Sequence, residues 1–180
     1  RYTAALPARR GPTTGAFGIA HIIKRRVGAL HEPAARLLEL ITVAGQPVPT
    51  DVSMKAIDLG PDALSVRNTL IGEHLIRTHV SDTGEKLEVY HDQIREAITS
   101  YLSAEAKAVY HGLLGDALEA AGSTDYEQLA LHFDATGNRN KALAYTRRAA
   151  AAAVEALAFD RAARIYQRLL DATPADGRER

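Results

Sequence analysis

The chain has 180 residues, 46% of them apolar and 24% charged, and no cysteine. That length allows one domain of ordinary size with a smaller module beside it, and the lack of cysteine excludes a disulfide-stapled scaffold, a thiol redox centre and a thiolate zinc site. Basic and acidic side chains both number 22, so the formal net charge is zero, and the longest apolar run, Ala149–Val154, is far short of the roughly 20 residues a membrane span requires.

No secretory pattern opens the chain, and Arg1 stands where Met would be, so it reads as a cytoplasmic segment of a longer protein. Pro7, Gly11 and Pro12 break up the first dozen residues, which read as a linker. Ile19, Ile22, Ile23, Val27 and Leu30 then recur at three and four and predict a helix over 16–30. His31-Glu32-Pro33 ends it, because a residue before proline is biased away from helical angles. A second helix is expected over 33–44, with Ala34, Leu37, Leu38 and Ile41 on one face and Gly45 as its stop. Pro47 and Pro49 make the next link stiff. Thr50 is placed to N-cap a short helix over 51–59, and Gly60-Pro61 resets the chain into a third helix ending near Gly72, with Ala63, Val66, Leu70 and Ile71 inward.

The period then changes. Leu75–Val80 and Lys86–Tyr90 are short β-prone runs around Ser81-Asp82-Thr83-Gly84, which predicts a hairpin. Three short helices followed by a two-stranded hairpin is the order of a winged helix, here closed by a helix over 92–102. Beyond it the pattern is helical throughout. Ser103 caps a helix to about Ala121 that carries Ala106, Val109, Leu113 and Ala117 in register. Tyr126, Leu129, Ala130 and Phe133 line the next, and two more run over 139–157 and 159–170, ending before Pro174. Asn140-Lys141-Ala142 and Asp160-Arg161-Ala162 open consecutive helices 20 residues apart, each followed by a tyrosine, Tyr145 and Tyr166. Such helix pairs resemble tetratricopeptide-type repeats, although the full consensus is not met. The expected fold is mainly α: a linker and helix over 1–32, a winged-helix module with a two-stranded β-hairpin over 33–102, and a tetratricopeptide-like superhelix over 103–180.

The balanced total charge hides alternating blocks. Residues 1–33 carry six basic and one acidic side chain, 51–90 four and seven, 91–138 two and eight, and 139–180 nine and five. Blocks of this kind suit modules that dock on one another or on partners, and equally suit plain solvated surfaces.

Gly11–Gly18 before a helix invites comparison with a phosphate loop, but no Lys-Ser or Lys-Thr follows and no apolar strand precedes it. The seven histidines show no metal-ligand spacing. His74 and His79 lie five apart on a predicted strand, where odd spacing puts side chains on opposite faces, and His111 and Asp116 lie five apart on a helix. No nucleophile elbow is recognisable, so no catalytic residue is assigned. A winged helix commonly reads DNA with its third helix. Here that helix offers Arg67 and Asn68 between Asp62 and Glu73, and the wing sets Lys86 among Asp82, Glu85 and Glu88. The module's negative balance disfavours phosphate contact, and a DNA-binding transcription regulator stands as the alternative function.

The informative stretch is Tyr90-His91-Asp92-Gln93-Ile94-Arg95-Glu96, where a strand delivers a histidine to the start of a helix. Asp92 can cap that helix. Free N–H groups and a positive dipole end favour an anion there, and His91 beside them can donate to a phosphate oxygen. An Asp cap with a half-buried histidine bonded to a neighbouring carbonyl is the other reading of the same residues.

With a winged helix around it and helical repeats behind, this stretch resembles the regulatory half of STAND-type signalling ATPases. That family includes bacterial serine/threonine kinases, cyclases and transcription regulators fused to an AAA-like ATPase, and is related to plant resistance proteins and apoptotic ATPases. His91-Asp92 is similar to the family's Met-His-Asp motif, with Tyr90 in place of Met. The resemblance covers about residues 16–171, and its specific part is the His91 motif. It implies that His91 senses the β-phosphate of ADP held by a neighbouring nucleotide domain, with Asp92 as its structural companion. The ADP or ATP site itself, its phosphate-loop lysine and any kinase domain would lie outside these residues. The function implied is a non-enzymatic regulatory segment that couples nucleotide state to partner binding. Its partners would be its own upstream nucleotide-binding domain and proteins met through the helical repeats, with no membrane and no nucleic acid.

Overall fold

Side-chain caps and left-handed turns set most of the helix boundaries. Ser103 accepts a hydrogen bond from the Ala106 N–H at 3.1 Å, Asp125 from Gln128 at 3.1 Å and Asn138 from Lys141 at 3.2 Å, each at the start of a helix. Gly45, at φ 76°, ends the helix before it in a conformation that favours glycine. In the computed structural model, which describes residues 14–81 and 84–172, these signals divide the chain into α1 (Thr14–Gly28), α2 (Glu32–Ala44), β1 (Val48–Pro49), α3 (Thr50–Ala56), a 3₁₀ turn (Gly60–Asp62), α4 (Ala63–Gly72), β2 (Ile76–Ser81), β3 (Gly84–Val89), α5 (Asp92–Tyr101), α6 (Ala104–Ala120), α7 (Tyr126–Ala135), α8 (Arg139–Glu155) and α9 (Phe159–Ala172). The described residues are thus mainly helical, with one small antiparallel sheet. The linker read before Thr14, the expected hairpin turn at Asp82 and Thr83, and the stop at Pro174 lie outside the described residues. Of the glycine-rich stretch, Thr14–Gly18 form the first turns of α1.

The sheet has three strands, one more than the expected hairpin, in the order β1-β3-β2. β3 pairs with β2 from Ile76↔Val89 to Ser81↔Gly84, and with β1 through Val48↔Leu87 and Pro49↔Lys86. Pro47 and Pro49 read as a stiff link; a proline is tolerated at the sheet edge, where its missing N–H is not needed. Thr50 is a second correction. It is the first residue of α3 and makes no cap; its hydroxyl donates to the Glu85 carbonyl at 3.1 Å and so ties α3 to β3.

α2 lies at the centre. Leu37, Leu38, Leu40 and Ile41 are all essentially inaccessible, and α3, α4, α5, α6 and β3 pack around them. Val66 and Leu70 of α4, Leu75, Ile76, Leu87 and Val89 of the sheet region, and Ile94 and Ile98 of α5 complete this part of the core. The core runs on without a break through Tyr110, Leu114 and Leu118 of α6 to Leu129, Phe133 and Tyr145. The boundary read at 102/103 therefore falls in the short turn between α5 and α6, and the core passes across it. α6 buries Tyr110, Leu114, Gly115 and Leu118, one residue further round than the face expected, and leaves Val109 exposed. Gly115 accounts for the choice: a Cβ there would lie 3.2 Å from the Phe133 ring, so only glycine allows this approach of α6 and α7 without displacement. α8 and α9 share a separate small cluster of Ala149, Ala150, Ala153, Ala162 and Ile165.

Leu87 is inaccessible at the middle of the central strand. Leu87→Ala is expected to cost about 2–5 kcal/mol, read as a lower urea midpoint at unchanged slope. Val80→Ala, on the exposed side of the same hairpin, is expected to stay within about 0.5 kcal/mol.

Candidate functional site

β3 and α5 together fix His91. The Tyr90 N–H donates to the Leu75 carbonyl at 3.0 Å, carrying the β2–β3 pairing one residue past the end of β3. His91 is thereby left extended, at φ −149° and ψ 143°, and becomes the N-cap of α5. Its carbonyl accepts from the Ile94 N–H at 2.9 Å, and its own ring Nδ1 accepts from the Gln93 N–H at 3.3 Å. This replaces the expected Asp92 cap: Asp92 is already inside the first turn, where its carboxylate complements the positive end of the helix dipole. A neutral imidazole that accepts at Nδ1 carries its proton on Nε2. His91 is exposed, and its Nε2–H has no partner among the described residues.

The rest of the motif anchors that cap. Ile94, Ala97 and Ile98 are buried, and the Arg95 guanidinium donates to the Thr42 carbonyl at 3.2 Å, at the C-terminal end of α2. Glu96 is exposed. Beside His91, Tyr90 meets the edge of His74, with ring centroids 5.6 Å apart at 82°. His74 adopts a left-handed conformation at φ 54°. Nothing local in the sequence joins these two rings, because the contact arises from the pairing of Tyr90 with Leu75. No protein-family model matches the chain, and comparison with curated proteins and with solved structures finds no match.

Two further groups of polar side chains bridge elements. Glu39 of α2 accepts from the Tyr110 hydroxyl of α6 at 2.6 Å and from that of Tyr101 at 3.4 Å. Burial and the adjacent carboxylate raise both phenols, Tyr101 to about 12, so Glu39 faces two neutral donors and pins α6 to α2. Arg67, the cation expected on a DNA-reading helix, is paired with Glu85 at 2.9 Å and is largely buried. Among the described residues no three His, Asp or Glu side chains come together as a metal site, and no helix is long and apolar enough to cross a membrane.

Two histidines that lack metal-ligand spacing in the sequence nevertheless meet across helices. His111 of α6 and His132 of α7 meet Nδ1 to Nδ1 at 2.8 Å, so one ring donates and the other accepts. His132 is inaccessible and its Nε2 has no partner. Its spacing from Gln128 and Leu129, four and three residues, placed it on the buried face of α7. Burial pushes both rings below the ordinary histidine range, and repulsion from His111 helps bring His132 to about 4. The unfolded chain takes up protons near pH 6.5 while the folded pair does not. This contribution to stability is therefore full above that pH and lost as pH falls toward about 4. Up to about 3 kcal/mol rides on it. Thermal melts at neutral pH and near pH 4.5 should show a smaller drop in His132→Leu than in the unmodified chain. Equal drops would contradict the assignment, since all other acid-sensitive groups are common to both.

Proposed function

We propose that the chain is a non-catalytic regulatory segment of a STAND-type signalling ATPase, serving in a protein whose effector is a kinase or similar enzyme. In this reading residues 33–102 form a winged helix that presents His91 to the β-phosphate of ADP on an upstream nucleotide-binding domain. Residues 103–180 form a tetratricopeptide-like array that meets protein partners. The observation that carries the reading is the state of His91: exposed, held by strand pairing on one side and helix capping on the other, with Nδ1 occupied and Nε2–H free to donate.

Other features support it. The order α2-β1-α3-α4-β2-β3, with a sheet ordered β1-β3-β2, supports reading residues 33–102 as a winged helix. α7, α8 and α9 enclose an open groove of about 640 Å³ with an apolar floor that includes Leu143 and Ile165, as a helical array for protein partners requires. Arg67 being held by Glu85 weighs against the DNA-binding alternative.

The residues fit one phosphate contact. When bound to its own domain, ADP supplies an anionic oxygen; His91 meets it from the winged helix with one donor, backed by the positive end of α5. Asp92 and Arg95 act on position: Asp92 stabilises the first turn, and Arg95 clamps α5 to α2. Nucleotide exchange removes the acceptor, frees the winged helix from the nucleotide domain and lets the helical array reorient. One hydrogen bond to a charged group contributes about 1.5–3 kcal/mol, enough for a tenfold or greater bias. In the protein that joins this segment to its nucleotide-binding domain, His91→Ala is expected to speed release of a fluorescent ADP analogue by about tenfold or more. An unchanged release rate would overturn the sensor role.

A further inference from the structure

Face alternation in the small sheet leaves one of its sides outside the core. Val48 and Leu87 are partners and both are inaccessible. Their neighbours Pro49, Lys86 and His79, joined by the pairs Pro49↔Lys86 and His79↔Lys86, therefore share the opposite face. The corner between α6 and α7 stands against that face, and the two enclose a cleft of about 570 Å³. Small-molecule sites span roughly 300–1,000 Å³. Gln128 of α7 lines the cleft, is only 7% exposed, and has no hydrogen-bond partner for its Nε2. A buried donor without an acceptor is costly, and a ligand oxygen brought against this amide removes that cost.

Charges of both signs line the same cleft without meeting. Lys86 makes no ion pair or hydrogen bond among the described residues. Asp125 accepts from the Gln128 N–H with one carboxylate oxygen, at 3.1 Å, and its other oxygen has no partner among the described residues. Asp51 reaches only Lys55, at 3.9 Å. A simple anion in the cleft would face two carboxylates, and a simple cation would face Lys86. A molecule that carries both charges offsets each of them. We infer that the cleft binds a small zwitterion of the amino-acid class, its carboxylate toward Lys86 and the Gln128 amide and its ammonium toward Asp125 and Asp51. The ligand then bridges β3 and the start of α7, two elements far apart in the chain. His91 takes no part in this site.

Amide ¹H–¹⁵N spectra of the 180-residue chain, titrated separately with each standard amino acid to about 10 mM, test the inference. At least one should saturate with a Kd below about 1 mM, its shifts gathered at Lys86, Asp125 and Gln128. The methyl ester and the N-acetyl derivative of that amino acid, each lacking one charge, should bind at least about tenfold more weakly. Lys86→Gln and Asp125→Asn, the second still able to cap α7, should each weaken binding about tenfold or more at unchanged Tm. Gln128→Leu should weaken binding while Tm holds or rises, because the unpartnered amide is gone. Lys24→Gln, on α1 and away from the cleft, should leave binding intact. Failure of every amino acid to saturate overturns the inference. So does equal binding of either derivative, or binding indifferent to both charge substitutions. Saturation by glucose alone also overturns it and gives the cleft to a neutral polyol.

Discussion

Helix α2 is buried around almost its whole circumference, and the positions of the other elements follow from that. An amphipathic helix covers one stripe; α2 has apolar side chains at 37, 38, 40 and 41, which demand neighbours on more than one side. α6 closes one flank, and α4, α5 and β3 close the others. The last turn of α2 is also where its polar groups are satisfied. The Thr42 hydroxyl donates to the Leu38 carbonyl at 2.7 Å, and the Thr42 carbonyl accepts from Arg95. The buried helix thus fixes α5 by packing and by a charge-assisted hydrogen bond at once.

His91 inherits its place from that arrangement. A strand bond at Tyr90 stops the backbone one residue late, and the first turn of α5 begins one residue later still, so the histidine is the half-in residue between sheet and helix. Cap and tautomer are then one fact: accepting from the backbone at Nδ1 leaves Nε2 as the donor. The rigidity matters to the proposed role, because a donor held by two elements loses little freedom when it meets an acceptor. The Glu39 bridge to Tyr110 and Tyr101 carries the same rigidity into α6. In the proposed role, a displacement of residues 33–102 would be passed to α6 through this bridge.

Most of this was legible in the sequence where a local signal carried it. The helices, the hairpin and the Ser103 cap follow from three-to-four periodicity, β-branched runs and capping chemistry. What was not legible depends on contacts distant in sequence. β1 is two residues long and includes a proline, and only its pairing with Leu87 and Lys86 makes it a strand. The cap at His91, rather than Asp92, is decided by the bond from Tyr90 to Leu75. In α6 both candidate faces are apolar, and the choice of Tyr110, Leu114 and Leu118 over Val109 rests on the absence of a side chain at Gly115, where Phe133 closes in. The contact of His111 with His132 was half visible, since His132 lies on the buried face of α7, but nothing local predicts its partner.

The account stands or falls on whether the free imidazole donor meets a phosphate. With ¹⁵N-labelled histidine in the protein that includes the nucleotide-binding domain, the His91 Nε2 resonance can be followed as ADP is added. The account predicts a displaced Nε2 signal with a through-bond coupling to the β-phosphorus in the ADP state, absent without nucleotide. An Nε2 resonance unmoved at saturating ADP would contradict it.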